Sequence, residues 1–293
     1  MDSLIEPDDL SSQEELLRAP WGELGRSLTL GVVAGLSKLV LNVFNTLTTE
    51  NEERFLEHVL HRDPGVGLIT VSNHTSTLDD PGLLSAITPL SYFFSEHRHH
   101  GVRWSLCARE MCYRNPLLAA FFQSGKTLPV DRGAGLDQLS MRGVGRAVGR
   151  GDWLHIFPEG RVVYTGTLGA LRWGVGRVVC DAVAASGGRA PVVLPFYHSG
   201  MGRVMPYRAR LPQVGQRVHV LVGEPVQIED VACNCNRAGV NQEEVWRELT
   251  ARIERALLDL QERAPPNEEQ PAAVRKHGGR YPKRTPEALP QPA

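Results

Sequence analysis

Residues 67–81 read GLITVSNHTSTLDDP, a run of apolar residues that passes directly into polar, helix-capping residues. The apolar part, 67–72, has the length and the β-branched content of a short buried strand. After it, 75–77 supply hydroxyl side chains that can cap a helix, and Pro81 fits a first helical turn because its missing N–H costs little there. The sequence therefore predicts a strand that turns directly into a helix, with His74 at the turn.

This turn explains how His74 and Asp79 can act together although five residues separate them. On a regular helix, side chains five residues apart lie about 140° round from each other and diverge. Where a strand folds back into a helix, the Asp79 carboxylate can reach one imidazole nitrogen and leave the other as a base near neutral pH. The alternative is a capping aspartate beside a structural histidine. His58 and Asp63 have the same spacing but follow no strand, and we interpret them as solvated surface residues.

Apolar strand patterns alternate with helical patterns along the chain. Such alternation predicts an α/β fold with a mixed, largely parallel sheet flanked by helices. We assign 50–263 to this domain, preceded by an acidic segment, 1–23, and a helix, 24–49, and followed by a charged, Pro-rich tail, 264–293, that we expect to be disordered. Strands are predicted at 67–72, 103–108, 127–130, 153–157, 192–197 and 217–222, and helices at 50–61, from 81, and at 115–122, 136–150, 171–185 and 242–262.

Two further segments place polar side chains at strand ends. Residues 157–160 (FPEG) close an apolar strand with a tight turn. Glu159 and Gly160 are therefore predicted at the carboxyl edge of the sheet, where open α/β sheets bind ligands. Lys126 and Arg132 flank a short strand, and basic residues there suit a phosphate group. Each segment also has an ordinary alternative, a turn residue for Glu159 and a salt-bridged loop for the two basic residues.

The N-terminal apolar stretch is the first candidate for membrane contact. Lys38 is the only charged residue between Arg26 and Glu50. The pattern predicts an amphipathic helix over 24–49 that lies in the membrane interface with Lys38 toward the head groups. A helix packed on the core and a transmembrane span are the alternatives. A second apolar run, 116–122, is another candidate for membrane contact or a core helix. The apolar face of the first helix is predicted to carry Val33, Leu36, Val40, Val43 and Leu47.

The composition excludes several classes of function. The 293 residues carry 32 basic and 33 acidic side chains, and this balance argues against nucleic acid as the main partner. The sequence has no G-x-S-x-G or H-E-x-x-H motif, and no ligand cluster predicts a metal or another cofactor. The chain has five cysteines, and we expect the C-x-C pair Cys233 and Cys235 to be reduced. The acidic start predicts neither a secretory signal nor a cleaved mitochondrial presequence.

Taken together and in order, these segments resemble the glycerolipid acyltransferase superfamily. Its first block, N-H-x4-D, matches residues 73–79, and its third block, F-P-E-G, matches 157–160. The second and fourth blocks are approximated by 126–132 and by 193–196 (VLPF). The resemblance covers residues 66–225. Within the superfamily the chain is most similar to transacylases that remodel the acyl chains of cardiolipin and other phospholipids.

The resemblance implies an acyl transfer that needs no acyl-enzyme and no CoA. A histidine would act as the general base on a lysophospholipid hydroxyl, and an aspartate would orient that histidine. Basic residues would hold a lipid phosphate, and the FPEG turn would position the glycerol part. The implied site residues are His74 and Asp79 for catalysis, and Arg132, Lys126, Glu159 and Gly160 for substrate binding.

The same resemblance implies partners and a location. The partners are phospholipid and lysophospholipid substrates at a membrane surface, and the location is a mitochondrial membrane, bound peripherally or monotopically. Three alternatives stay open: an acyl-CoA-dependent lysophospholipid acyltransferase, an N-acylphosphatidylethanolamine synthase, and a non-catalytic protein that binds membrane lipids.

Overall fold

The computed structural model describes residues 7–94 and 101–277, and a mixed sheet forms its centre. The strands are β1 Thr46–Glu50, β2 Leu68–Ser72, β3 Ser105–Ala108, β4 Thr127–Val130, β5 Trp153–Ile156, β6 Val192–Ser199 and β7 Arg217–Val222. Five of them lie in the order β1-β7-β6-β2-β5, and the pair β3-β4 joins β5 through a bridge between Trp104 and Leu154. Within the described residues only β6 and β7 pair antiparallel, so the predicted mixed, largely parallel sheet is confirmed.

Helices cover both faces of this sheet. Alternate side chains of β2 point to opposite faces, because the side-chain period of a strand is two. Ile69 and Val71 belong to one buried apolar cluster, and Leu68 belongs to another. The helices are α1 Pro7–Leu17, α2 Gly22–Lys38, α3 Glu52–Leu60, α4 Asp79–Ile87, α5 Arg109–Cys112, α6 Pro116–Ser124, α7 Leu139–Gly149, α8 Gly174–Ala185, α9 Met201–Val204, α10 Glu229–Ala232, α11 Gln242–Arg263 and α12 Pro271–His277, with a π-helical turn at Leu39–Val43 and a 3-10 turn at Leu90–Phe94.

Strand β1 takes the place of the last part of the predicted N-terminal helix. The helix continues only through the π turn, and Asn45 then fixes a change of direction. Its side-chain amide donates to the carbonyls of Val40 and Gln213, and its Oδ1 accepts from the N–H of Gln216. The threonines that follow favour a strand, and residues 46–50 pair in parallel with β7.

Helix α2 and the π turn after it expose an apolar stripe that shares Leu36 and Val43 with the predicted one and otherwise differs from it. The buried face contains polar side chains, and Ser27 and Thr29 satisfy their hydroxyls on backbone carbonyls one turn earlier. Lys38 donates to the carbonyl of Ala86 at 2.8 Å, so it does not point toward head groups. By length and composition, Gly22–Val43 could also cross a membrane. The exposed residues, called the α2 stripe below, are Leu24, Leu28, Val32, Leu36, Leu39 and Val43.

Part of the tail that was predicted to be disordered is packed on the domain. Asn267 donates to the carbonyl of His198 at 2.8 Å, and Ala273 in α12 is fully buried. Specific contacts of this kind hold residues 264–277 in spite of their Pro- and Glu-rich composition. Residues 278–293 lie outside the described residues.

Four of the five cysteines form disulfides, so the expectation of a reduced Cys233 and Cys235 pair is wrong for Cys235. Cys180 in α8 bonds to Cys235, and Cys107 bonds to Cys112. Cys233 is free and exposed. The first pair is 55 residues apart in sequence, and only the packing of α8 beside the loop after α10 brings its members together.

Candidate active site

His74 and Asp79 meet at the carboxyl edge of the sheet, where β2 turns into α4. Nδ1 of His74 lies 3.0 Å from Oδ2 of Asp79. The N–H groups of Thr75 and Ser76 donate to the same oxygen at 2.7 and 2.9 Å. Burial alone would raise the pKa of the Asp79 carboxyl, but the imidazoles of His198 and His74 outweigh it and keep this pKa below its ordinary value. The turn therefore holds an ionised carboxylate against His74.

The His74 ring is held in place with one nitrogen open. It stacks on Phe157 with 3.9 Å between the ring centroids. The backbone N–H of His74 donates to Glu159 Oε1, and its carbonyl accepts from the N–H of Val163, both at 2.7 Å. Because Asp79 accepts from Nδ1, the neutral ring carries its proton there and has its lone pair on Nε2. Nε2 makes no hydrogen bond to any described residue, and 17% of the side chain is exposed.

Glu159 ties the FPEG turn to the turn that carries His74. Its Oε1 accepts from the His74 N–H, and its Oε2 accepts from the N–H of Gly169, both at 2.7 Å. The residue is 2% exposed, and burial raises the pKa of its carboxyl to about 8, although the two N–H donors act in the opposite direction. Both oxygens are engaged with backbone groups, so Glu159 positions the loops of the site.

Gly160 and Arg172 form an exposed corner beside this carboxylate. Gly160 has a positive φ of 66°. A Cβ at this position would lie 2.8 Å from Arg172 Cδ, so the arginine side chain runs directly over the glycine. The Arg172 N–H also donates to the carbonyl of Pro158 at 2.8 Å. No sequence motif indicated a role for Arg172.

Lys126 lies at the wrong end of β4 for the predicted phosphate contact. It precedes the strand, at the amino edge of the sheet, and its side chain is fully buried. Nζ lies 4.5 Å from the centroid of the Trp104 ring, and burial lowers the pKa of this amine to about 7. The lysine is therefore enclosed in the protein and cannot meet a lipid phosphate at the carboxyl edge.

Arg132 follows β4 and lies at the same edge as His74. Its guanidinium pairs with Glu110 at 3.0 Å, and both side chains are more than half exposed. Three strand spacings separate β4 from β2, or about 14 Å. An exposed pair of this kind contributes little to stability, so the guanidinium can exchange Glu110 for a phosphate. Among the described residues, no group of three or more His, Cys, Asp or Glu could hold a metal ion.

The class of protein follows from a comparison with family models. A model described as Acyltransferase matches residues 47–199, which extend from within β1 to the end of β6 and include the turn with His74 and Asp79. The chain belongs to this acyltransferase family.

Within the family the most informative relatives include tafazzins, so the resemblance on which the sequence analysis rested is confirmed. The tafazzin of Drosophila melanogaster is 33% identical over 232 residues, which are 79% of this chain and 59% of that protein. The tafazzin of Saccharomyces cerevisiae is 28% identical over 256 residues, 71% of this chain and 64% of that protein. The chain thus spans about three fifths of the length of these relatives. The N-acylphosphatidylethanolamine synthase of Arabidopsis thaliana is 34% identical over 215 residues, 71% of this chain and 72% of that protein.

The fold has a counterpart among solved structures. The 1-acyl-sn-glycerophosphate acyltransferase PlsC from Thermotoga maritima is similar with a TM-score of 0.50 and 16% identity. The similarity covers 80% of this chain and 82% of that chain. At this identity the likeness supports the α/β fold alone.

Proposed function

We propose that this protein is a phospholipid–lysophospholipid transacylase that remodels the acyl chains of cardiolipin and other phospholipids without CoA. The observation that carries the proposal is the His74–Asp79 pair, which leaves Nε2 of the imidazole open at the carboxyl edge of the sheet. Membership of the acyltransferase family and the similarity to tafazzins support this choice of reaction.

In the proposed reaction His74 moves one proton twice. Nε2 takes the proton of the lysophospholipid hydroxyl as its oxygen attacks the ester carbonyl carbon of the donor phospholipid. Asp79 stabilises the imidazolium that forms, as an oriented carboxylate does for other histidine bases. The tetrahedral intermediate then breaks its bond to the donor glycerol oxygen, and that oxygen takes the proton back from Nε2. His74 is neutral again, and one ester has been exchanged for another.

Arg132 and Arg172 are the proposed contacts for lipid phosphates. Both side chains are exposed, and both lie on loops at the carboxyl edge. Arg172 has no ion-pair partner within 7–94 and 101–277, and it lies over Gly160 beside the residues that hold His74. An arginine can bind a phosphate through two parallel hydrogen bonds, which fixes both position and orientation.

The proposed membrane-facing surface joins the α2 stripe to helix α6. Trp21 and Phe121 lie 6.4 Å apart between ring centroids, and Leu117 is 71% exposed. Large exposed apolar surfaces mark sites of protein or membrane contact. Because two-chain lipids do not leave a bilayer readily, a surface of this kind suits an enzyme that works on them. By the family resemblance, the membrane we propose is a mitochondrial one.

A vesicle assay tests the membrane-facing surface. The combined change Leu28→Ser and Leu117→Ser is expected to move the protein from the membrane pellet to the supernatant, since about 2 kcal/mol of apolar burial is lost for each leucine. Leu211→Ser, at a side chain of similar exposure on the loop before β7, is the control. Unchanged partition of the double variant would reject the surface.

The choice between transacylase and acyl-CoA-dependent enzyme rests on one assay. Labelled phosphatidylcholine and lysocardiolipin are incubated with the protein, with and without CoA. We expect acyl transfer without CoA in the wild type and in His58→Ala, and none above background in His74→Ala. Transfer only from an added acyl-CoA thioester would favour the CoA-dependent alternative. Full activity of His74→Ala would remove His74 as the base, and absence of any activity in the wild type would favour a lipid-binding protein.

The second candidate function is the N-acylation of phosphatidylethanolamine. The specific observation in its favour is the similarity to the plant synthase, which extends over 72% of that protein. In this reaction the amine of the head group replaces the lysolipid hydroxyl as nucleophile, and the same base would take its proton. Phosphatidylethanolamine is therefore included as an acceptor in the assay, and an N-acylated product would identify this activity.

A further inference from the structure

His198 is a buried histidine that lies behind the candidate site and takes no part in the proton transfers described above. It lies near the end of β6, and its Nε2 is 2.8 Å from the carbonyl oxygen of Asn73. Nε2 also lies 3.5 Å from Asp79 Oδ2, the oxygen that holds His74 at 3.0 Å. One carboxylate oxygen of Asp79 therefore has an imidazole on each side.

The contact with Asn73 defines the tautomer of His198. A carbonyl oxygen only accepts hydrogen bonds, so the 2.8 Å contact places an N–H on Nε2. Nδ1 is buried and has no hydrogen-bond partner among the described residues. Burial lowers the pKa of the His198 imidazole, which keeps the ring neutral. Its single N–H thus lies between the Asn73 carbonyl and the Asp79 carboxylate.

The backbone of His198 is clamped to the same asparagine. Asn73 Nδ2 donates to the His198 carbonyl, and the His198 N–H donates to Asn73 Oδ1, both at 2.9 Å. Asn267 of the packed tail donates to the same carbonyl at 2.8 Å. The residue directly before His74 is therefore held by His198 through three hydrogen bonds, two at the backbone and one from the ring.

We propose that His198 is a positioning residue of the acyl transfer, a role that rests on the function proposed above. Its Nε2–H holds the Asn73 carbonyl, and with it the turn that presents His74. The same N–H faces Asp79 and competes with His74 for the charge of the carboxylate. Without it, the Asn73 carbonyl loses its ring donor, and Asp79 Oδ2 loses one of its two imidazole neighbours.

Other ionisable groups also act on this cluster, and they stay in place when His198 is changed. Glu159 of the FPEG turn holds the backbone N–H of His74 and lies close enough to Asp79 for their charges to interact. His155 of β5 is buried on the same side of the sheet, and burial lowers its pKa to about 3, so it stays neutral. The change expected on removing the donor therefore belongs to the His198 N–H.

The test compares variants with and without a donor at this position. His198→Gln can place an amide N–H near Nε2, whereas His198→Leu has no donor. We expect His198→Gln to keep kcat within about threefold and His198→Leu to lose about 10- to 100-fold in kcat with little change in KM, the loss typical of a residue that orients a catalytic ligand.

Histidine NMR spectra provide the second readout and need no activity. At a fixed pH, the ring signals of His74 should move in His198→Leu, or in His198→Met if the leucine variant does not fold, because methionine fills irregular space well. They should stay in place in His198→Gln. Unmoved His74 signals in a folded donor-free variant overturn the inference, and so does failure of both donor-free variants to fold, which would assign His198 a structural role only. Full activity of His74→Ala would instead show that the proposed function fails.

Discussion

Two histidine–aspartate pairs with the same spacing flank strand β2, and the side chains of only one pair meet. His58 and Asp63 precede the strand, at the end of α3, and no hydrogen bond joins their side chains. His74 and Asp79 follow the strand, and their side chains meet at 3.0 Å. The difference lies in the turn, since the reversal from β2 into α4 directs both side chains to one point. The same spacing in sequence brings the histidine and aspartate side chains together only where the backbone reverses direction.

The largest effect is expected from the aspartates. Asp79→Asn should lower acyl transfer by about 10³-fold, because an amide presents the wrong partner to His74 and to the two backbone N–H donors. Asp63→Asn should stay within about twofold, as a surface substitution does. Initial rates in the CoA-free assay measure both. Equal losses of acyl transfer in the two variants would show that the His74–Asp79 pair is no more important for activity than the His58–Asp63 pair.

The arginines beside the two pairs provide a second contrast. Arg172 lies over Gly160, and Arg189 donates to the carbonyl of Gly65, close to Asp63. If Arg172 binds a phosphate, Arg172→Gln should raise KM about tenfold with little change in kcat, the loss of one charge-assisted hydrogen bond. Arg189→Gln should leave KM unchanged. A KM of wild-type size in Arg172→Gln would remove Arg172 from the substrate site.

Two glycines, one near each histidine–aspartate pair, allow the same comparison for backbone conformation. Gly160 and Gly65 both have a positive φ, at 66° and 74°. Alanine at either position should destabilise the fold by about 1 kcal/mol, because L-residues avoid this region. Only Gly160→Ala should also lower transfer, by about threefold to fivefold, since its methyl group displaces Arg172. Thermal unfolding together with initial rates separates the two effects, and equal rates in both variants would contradict the prediction.

The smallest effects concern how stability depends on pH, and they have opposite signs. Burial raises the pKa of Glu159 from 4.5 to about 8, so the folded protein binds the extra proton between these values. The stability that Glu159 contributes relative to Glu159→Gln should therefore fall as pH rises toward 8. Burial lowers the pKa of His58 from 6.5, so its contribution relative to His58→Gln should fall as pH drops below 6.5.

Melting temperatures of the wild type and the two variants, measured from about pH 5 to about pH 8, check these signs. A Glu159→Gln difference that grows with pH would show that the two N–H donors outweigh burial and keep the carboxylate ionised throughout.

Most strands and the larger helices were predictable because each rests on a local pattern. The observed β4 and β7 have the bounds of their predicted runs. β1 was missed because apolar residues continue at helical spacing through Leu47, while the side chain that ends the helix, Asn45, bonds to a distant loop. The disulfide of Cys180 and Cys235 was missed for the same reason, since its members are 55 residues apart.

The site residues divide in the same way. The His74–Asp79 contact lies within one turn, so the order of strand, turn and helix was enough to predict it. Lys126 was assigned to the site although it precedes the predicted strand 127–130 and so lies at its amino end. The ring that covers it, Trp104, comes from a different part of the chain and could not be predicted locally. His198 carries no motif, and nothing local indicates that it reaches Asp79.

The order of residues alone was enough to predict the α/β architecture, the family and the pair of side chains that can move a proton. Each of these depends on residues a few positions apart. Folding in three dimensions decided which face of α2 is left apolar and which arginines reach the carboxyl edge. It also brought Glu159 to the backbone N–H of His74, and His198 to Asn73 and Asp79. Those contacts join residues up to 125 positions apart, so they form only when the strands of the whole sheet have assembled.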